Sequence, residues 1–308
     1  MCTAVIDQNR YFGRNLDYGR SYGESVVVTP RNFSLPDGHR SAFALLGIAH
    51  VAEGYPLYYD AMNEVGLAMA GLLFPGNAAY GKPRYGRDNV PTWAFLPRIL
   101  GQCQDVAEAE KLLEQIHLTD EPFREDLPPA PLHWMIADRN RSIVVEATEK
   151  GLEVYDNPVG VLTNNPPFPF HLQNLNRYLH LTAEEPQNHF SENLDLKPFS
   201  HGMGAMGLPG DYSSVSRFVR AAFVKEHSVS AEAEGLSQFF HILGAVEQPR
   251  GCVCTEAGNG LEWTLYSSCC DLAEGKYYYK TYDGNTIRSF SFSEGNVLGK
   301  ELQMTPVI

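Results

Sequence analysis

A cysteine stands at position 2, directly behind Met1, and it is the residue of this 308-residue chain whose type and place could do most chemistry. Removal of one residue would turn it into the chain terminus, with a thiol beside a free α-amine. An ordinary thiol has a pKa near ~8.5 and an α-amine one near ~7.7–8. The amine could then accept the thiol proton, directly or through a water, and later hand it to a leaving group; an N-terminal cysteine carries its own general base. The small Cys2 side chain makes removal of Met1 sterically easy. A small residue at position 2 is also common for no catalytic reason, so the neighbouring stretch "GRNLD" matters. A hairpin would fold it back beside Cys2, where the Asp17 carboxylate could orient the amine and the Arg14 cation could hold a thiolate. An Arg-x-x-Asp spacing fits a surface ion pair equally well, and spacing alone does not decide.

The elements that would have to position these groups read as follows. "TAVID" and "RYFGRNL", separated by "QN", predict a β-hairpin. "SVVVTP", "SAFALLGIA", "LYYDAM" and "GLAMAGLLF" continue as strands punctuated by Gly, Pro and Asn. "VPTWAFLPRILGQC" and "DVAEAEKLLEQI" read as helices, the second with Asp105 as N-cap. Strands return in "PLHWMIAD", "SIVVEAT" and "LEVYDN". Residues 164–212 read as loop-rich. Two helices, "SSVSRFVRAAFVKE" and "SAEAEGLSQFFHIL", and three antiparallel strands, "EWTLYSSCCD", "KYYYKTYD" and "TIRSFSF", close the chain. Strand blocks alternating with helix pairs predict sheets covered by helices in one domain, residues 1–308.

Composition narrows the function classes. The formal net charge is −13, and an acidic surface repels phosphate backbones and anionic bilayers, so nucleic acid and membrane surfaces are disfavoured partners. The longest apolar stretch, "AFALLGIAHVA", is too short to span a bilayer. Asp7 and Arg10 fall where a signal peptide would be apolar, so a cytoplasmic location is expected. Six cysteines are too few for a disulfide scaffold and read as free thiols.

Taken together, "MCTAVIDQNRYFGRNLDYGRSYGE", "NEVGLAMAGLLFPG", "VGVLTNNPPF", "MGLPGDYSSVSRFVRAAF", "SQFFHILG", "YSSCCD" and "YYYKTYD" resemble, in order and along essentially the whole chain, the choloylglycine hydrolase family of N-terminal-nucleophile (Ntn) hydrolases. The blocks look most like its bile salt hydrolases, with penicillin V acylases as close relatives. The resemblance implies an α+β fold, a four-layer αββα sandwich, and cleavage of the amide of glycine- or taurine-conjugated bile salts with no metal or organic cofactor. It implies that Cys2 is the nucleophile, that Arg14 and Asp17 bracket it, that Asn164 is the side-chain donor of the oxyanion hole, and that Arg217 is the buried arginine of the site. Without it, Asn164 would read as a turn residue before Pro166 and Arg217 as an ordinary charge on a helix. The backbone N–H of Leu73 is implied as the second oxyanion donor, although bile salt hydrolases usually carry Asn there and penicillin acylases Tyr. Leu16, Tyr18, Tyr22, Tyr58 and Leu73, with Tyr55 and "FREDLPPAPLHW", are implied to line the substrate pocket; a core or strand-edge role weighs equally for each tyrosine. The resemblance also implies a homotetramer, with an intersubunit arm within 165–212.

Other readings stay open at this point. The substrate could be penicillin V or another N-acyl amide. Outside enzymes, Cys252, Cys254, Cys269 and Cys270 could bind a metal or ligand, although buried free thiols are the plainer expectation and adjacent strand residues point to opposite faces. Cys103 is expected in the core, and His133 and His241 are expected to be structural.

Overall fold

The structure is a computed structural model and describes residues 1–35, 38–255 and 260–307. Its strands are β1 (Cys2–Asp7), β2 (Tyr11–Tyr18), β3 (Ser25–Thr29), β4 (Leu45–Ala52), β5 (Tyr55–Asn63), β6 (Ala68–Leu73), β7 (Asp88–Pro91), β8 (Ile116–Thr119), β9 (Leu132–Ala137), β10 (Ser142–Thr148), β11 (Gly151–Asp156), β12 (Val161–Leu162), β13 (Val253–Cys254), β14 (Leu261–Asp271), β15 (Lys276–Thr281), β16 (Gly284–Ser291) and β17 (Gln303–Pro306). Its helices are α1 (Thr92–Gln102), α2 (Val106–Leu113), α3 (Phe168–Asn174), α4 (Ser214–His227), α5 (Gly235–Gly244) and α6 (Glu294–Val297).

The β1–β2 hairpin turns where "QN" predicts it. Gln8 and Asn9 take φ of 52° and 51°, and Arg10 N–H donates to the Asp7 carbonyl at 3.0 Å. Two successive left-handed residues make the mirror-image turn that matches strand twist, and Asn is among the residues that tolerate it. The turn sets the register, pairing Cys2 with Leu16.

Two antiparallel sheets face each other. The first runs β12-β1-β2-β14-β15-β16, with β13 on β14; the second runs β11-β10-β9-β6-β5-β4-β3-β17. Helices α4 and α5 cover the outer face of the first sheet: the Asn15 side chain of β2 donates to Leu243 O of α5 at 2.9 Å. Helices α1 and α2 cover the outer face of the second, where Phe95, Ile99 and Leu100 pack with Trp134, Ile136 and Val145. This is the αββα sandwich that the family resemblance implies. Both faces of β1 and β2 are therefore buried along nearly their whole length, and polar residues there must find partners inside the protein.

Some elements depart from the expectation. Residues 168–178, read as loop, form α3 and a 3₁₀ turn (Leu175–Tyr178); Pro167 is the N-cap and Pro169 falls in the first turn, where proline's fixed φ and missing N–H cost nothing. β8, α6 and β17 were too short for a periodic signal. The helix read from Ser230 begins at Gly235, because Glu232–Glu234 is a 3₁₀ turn. Asp105 does cap α2, accepting from Glu108 N–H at 2.8 Å.

Gly13 shows how closely β14 lies on β2: a Cβ there would sit 1.9 Å from Ser268 O and 2.7 Å from Ser268 C. Both are backbone atoms and cannot step aside as a side-chain tip would. Gly13→Ala is expected to destabilise the fold by at least the ~1–3 kcal/mol typical of overpacking. Chemical denaturation checks this, and an unchanged midpoint would show that the two strands can part at that point.

Candidate active site

The hairpin register decides what stands around Cys2. The antiparallel pairing continues to Met1, whose amine donates to Asp17 O at 2.7 Å and whose carbonyl accepts from Asp17 N–H at 3.0 Å. The Met1 ammonium also pairs with the Glu262 carboxylate at 2.9 Å. With Met1 in place the Cys2 nitrogen is an amide, and it donates to Asn164 Oδ1 at 2.8 Å. The Cys2 side chain is buried, on the face of the first sheet that looks toward the second.

Asn164 follows the two-residue strand β12, which pairs with β1. Its Nδ2 donates to Leu73 O at 2.7 Å, which commits one of its two hydrogens. Its carbonyl oxygen also accepts from Arg217 Nη2 at 2.7 Å. His171 of α3 holds the other end of the residue: its Nε2 lies 2.9 Å from Asn164 O. The ring stacks on Phe218, and burial pushes its pKa down to about 4, so it is neutral near pH 7.

Arg217, on α4, is fully buried. Its Nη1 donates to Cys2 O and Thr3 Oγ1, both at 2.6 Å, and lies 3.8 Å from Asp17 Oδ2. Asp17 Oδ1 accepts from Thr264 Oγ1 at 2.6 Å, while Oδ2 has no hydrogen-bond donor among the described residues. Burial pushes the Asp17 carboxyl up and the Arg217 guanidinium down. Desolvation therefore outweighs the attraction between them on both sides, and each is costly without the other.

Arg14 leaves β2 on the opposite face from Asp17. It crosses to the second sheet and donates from Nη1 to Tyr59 O at 3.0 Å and Gly71 O at 2.5 Å. Burial works against its charge, yet Cys2, Tyr266, Asp60 and Asp17 together hold the guanidinium pKa above its ordinary value. The carbonyls it meets are exposed because β5 and β6 stop pairing beyond Asp60↔Ala70. Leu73 lies past that split. Phe74 N–H, next along, donates to Pro131 O, so by antiparallel alternation the Leu73 N–H points away from β9 and into the gap.

Cys2, Arg14, Leu16, Tyr18, Tyr22, Tyr58 and Leu73 all border one cavity of about 490 Å³, whose far wall is Trp93, Leu96, Phe123 and the run Leu127–Leu132. Tyr55 does not line it; its ring backs Trp93 and Phe123. The Tyr58 hydroxyl is taken by Thr29 at 2.8 Å, leaving the ring to face the cavity. Tyr18 is pushed up to about 12, first by its hydrogen bond to Tyr22, and Tyr22 accepts from Arg20 at 2.9 Å.

The cysteine expectation needs correction. Cys252 and Cys254 are exposed, whereas Cys103, Cys269 and Cys270 are buried; adjacent Cys269 and Cys270 can both be buried because β14 is covered on both faces. Among the described residues no His/Cys/Asp/Glu group could hold a metal ion. His133 is enclosed between Glu146 and Thr163 O, away from the cavity, and His241 is exposed on α5. Sequence reasoning missed His171, Glu262, Thr264 and Asp60. For Asp60 a signal existed, a lone acid inside the strand run "LYYDAM".

Residues 2–305 match the family model described as linear amide C–N hydrolases, choloylglycine hydrolase family. The chain belongs to this family. It is 49% identical to a bile salt hydrolase/transferase of Lactiplantibacillus plantarum, over 100% of this chain and 97% of that protein. It superposes on the crystal structure of the mutant C2A conjugated bile acid hydrolase from Clostridium perfringens with a TM-score of 0.91, 35% identity and coverage of 99% and 96%. Penicillin V acylase from Agrobacterium tumefaciens shares the fold at 19% identity, with a TM-score of 0.75 and coverage of 99% and 90%. The choloylglycine hydrolase assignment makes the chain an enzyme, a linear-amide C–N hydrolase, and displaces the metal-binding alternative.

Both ends of the Met1–Cys2 peptide are held inside the fold, by Asp17 N–H and by Asn164. An exopeptidase needs that segment free. Folded chains that retain Met1 are therefore expected to resist a methionine aminopeptidase that trims the unfolded chain, with intact mass as the readout. Equal trimming rates for the two states would show that the terminus is not docked.

Proposed function

We propose that this choloylglycine hydrolase cleaves the amide of glycine- or taurine-conjugated bile salts through a thioester on Cys2. The observation that carries the reading is a buried thiol from the first sheet and Leu73 from the second bordering one cavity, with the Asn164 amide bonded to the Cys2 N–H and to Leu73 O. The substrate class rests on the names of the relatives, bile salt hydrolase/transferase and conjugated bile acid hydrolase. A cavity of this size walled by Trp93, Leu96, Phe123 and Leu127 suits a largely apolar ligand with one polar end. Penicillin V would use the same machinery, but the resemblance to its acylase bears on the fold alone.

In this reading Met1 is removed and the Cys2 amine becomes the base. The amine takes the thiol proton as sulfur attacks the amide carbon. The Leu73 N–H and the second hydrogen of Asn164 Nδ2 meet the oxyanion; one such donor is typically worth about 10²–10³ in rate. The C–N bond breaks as the amine returns the proton to the departing nitrogen, leaving a thioester. Water, deprotonated by the same amine, then releases the bile acid and restores the thiol. Asp17 Oδ2, buried without a donor, is placed to accept from the new ammonium, and Arg217 fixes Asn164 and the Cys2 carbonyl. Arg14 supplies positive charge near the sulfur. Leu73 contributes its backbone, and its side chain adds apolar surface to the cavity.

The decisive experiment is a panel of glyco- and tauro-conjugated bile salts and penicillin V, run on protein confirmed to begin at Cys2. Higher kcat/KM for bile salts is expected, with all turnover lost in Cys2→Ala while the circular dichroism spectrum is retained. A preference for penicillin V, or activity that survives in Cys2→Ala, would refute the reading.

The assembly and setting belong to the same proposal. We read residues 1–308 as one domain and the stretch within 165–212 as an arm between copies in a homotetramer. Leu179, Phe190 and Phe199 stand 83–85% exposed there, an apolar display that a soluble surface rarely leaves uncovered. Light scattering should give four times the 34.3 kDa chain mass; a monomer would remove the arm's role. A cytoplasmic location suits a nucleophile that must stay a reduced thiol.

A further inference from the structure

Cys2 lies on the first sheet and Leu73 on the second, so the spacing of thiol and backbone donor is set by what ties the sheets together between them. Two charged side chains cross that layer in opposite directions. Arg14 runs from β2 to the carbonyls of Tyr59 and Gly71. Asp60 runs back from β5 to the first sheet, where its carboxylate accepts from Tyr266 (2.6 Å), Tyr277 (2.6 Å) and Ser268 (2.9 Å). Ser268 Oγ also accepts from the Arg14 backbone N–H at 3.3 Å, which ties the Asp60 carboxylate to the strand that carries Arg14. Arg14, Asp60, Ser268 and Tyr277 are all fully buried.

The charged and titratable groups around Arg14 include Cys2, Tyr59, Tyr266, Asp60 and Asp17. Asp17 is committed on the other face of β2, to Arg217 and Thr264. That leaves Asp60 as the carboxylate on the face where Arg14 meets the thiol. A cation this deep is tolerated only beside an anion, and removing either leaves the other uncompensated.

We propose that Asp60 is a positioning residue: the buried counter-ion that holds Arg14 in the split between β5 and β6, fixes the spacing of Cys2 and Leu73, and offsets the Arg14 charge at the sulfur. The proposal rests on the reading of Cys2 as nucleophile. Loss of activity on alkylating Cys2 in the parent enzyme tests that premise separately.

The experiment follows the pH dependence of Cys2 alkylation in processed parent, Asp60→Asn, Arg14→Met and the double variant, with kcat and KM for a conjugated bile salt. Loss of the Asp60 charge lowers the thiol pKa by the same direct amount with or without Arg14, and the Arg14→Met background reads that amount. With Arg14 present, its release from the split adds a second change, so the two shifts must differ. The kcat should fall about tenfold with a smaller change in KM, the scale of losing hydrogen bonds to a charged group. Asp60→Glu, which keeps the charge, should bring the thiol pKa back toward the parent value. An equal shift in both backgrounds would reduce Asp60 to a packing role and overturn the proposal. Should Asp60→Asn not fold, Ser268→Ala and Tyr277→Phe carry the test: each removes one donor to Asp60, and unchanged kcat in both would overturn it.

Discussion

Everything at the site depends on the register of the β1–β2 hairpin. Successive strand residues face opposite ways, so a slip of one residue exchanges the two faces completely. In the observed register Arg14 faces the second sheet and Asp17 faces the helix layer, with Cys2 opposite Leu16. A slip would send Arg14 toward α5 and Asp17 into the cavity, and neither would find its partners. The turn at Gln8 and Asn9 fixes that register locally, and β14, lying against Gly13, fixes it from the other side.

The site is also an arrangement of charges in places that disfavour them. Arg14, Arg217, Asp17 and Asp60 are all enclosed, each with desolvation set against it. Buried ion networks seldom add net stability over apolar packing of the same volume. Here they tie layers together at chosen points. Arg217 links α4 to β1 and to Asn164 just beyond β12; Arg14 and Asp60 link the two sheets. The protein accepts the desolvation cost in return for a single arrangement of the thiol and the amide donors around it.

Much of this was legible in the sequence, and for identifiable reasons. The hairpin turn, the Asp105 cap and the long strands announced themselves through turn chemistry, capping and composition. The roles of Asn164 and Arg217 did not: one reads as a turn residue and the other as a helix surface charge, and only the resemblance of whole blocks singled them out. What escaped was set by long-range contact. Asp60 is one acid in an apolar strand until Tyr266 and Tyr277, more than 200 positions away, fold over it. β17 has no periodic pattern of its own and exists because β3 offers an open edge. Tyr55, which the resemblance implied for the pocket wall, stands one layer behind it, its ring against Trp93 and Phe123.

The docking of Met1 against Glu262 joins residues 261 positions apart, and this separation orders events during synthesis. A ribosome adding roughly 5–20 residues per second leaves an interval on the order of 10–50 s between the emergence of the two. Throughout it the amino end has only its hairpin partner Asp17, because β14 has not been made and neither, for most of that time, has Asn164. In the proposed mechanism, which needs Met1 removed, the length of chain between the hairpin and its last partner strand sets how long the terminus stays open to trimming before the finished fold closes it. Shortening that interval, by faster elongation or by circular permutation that brings β14 forward, would trade quicker closure for a larger fraction of chains sealed with methionine still attached.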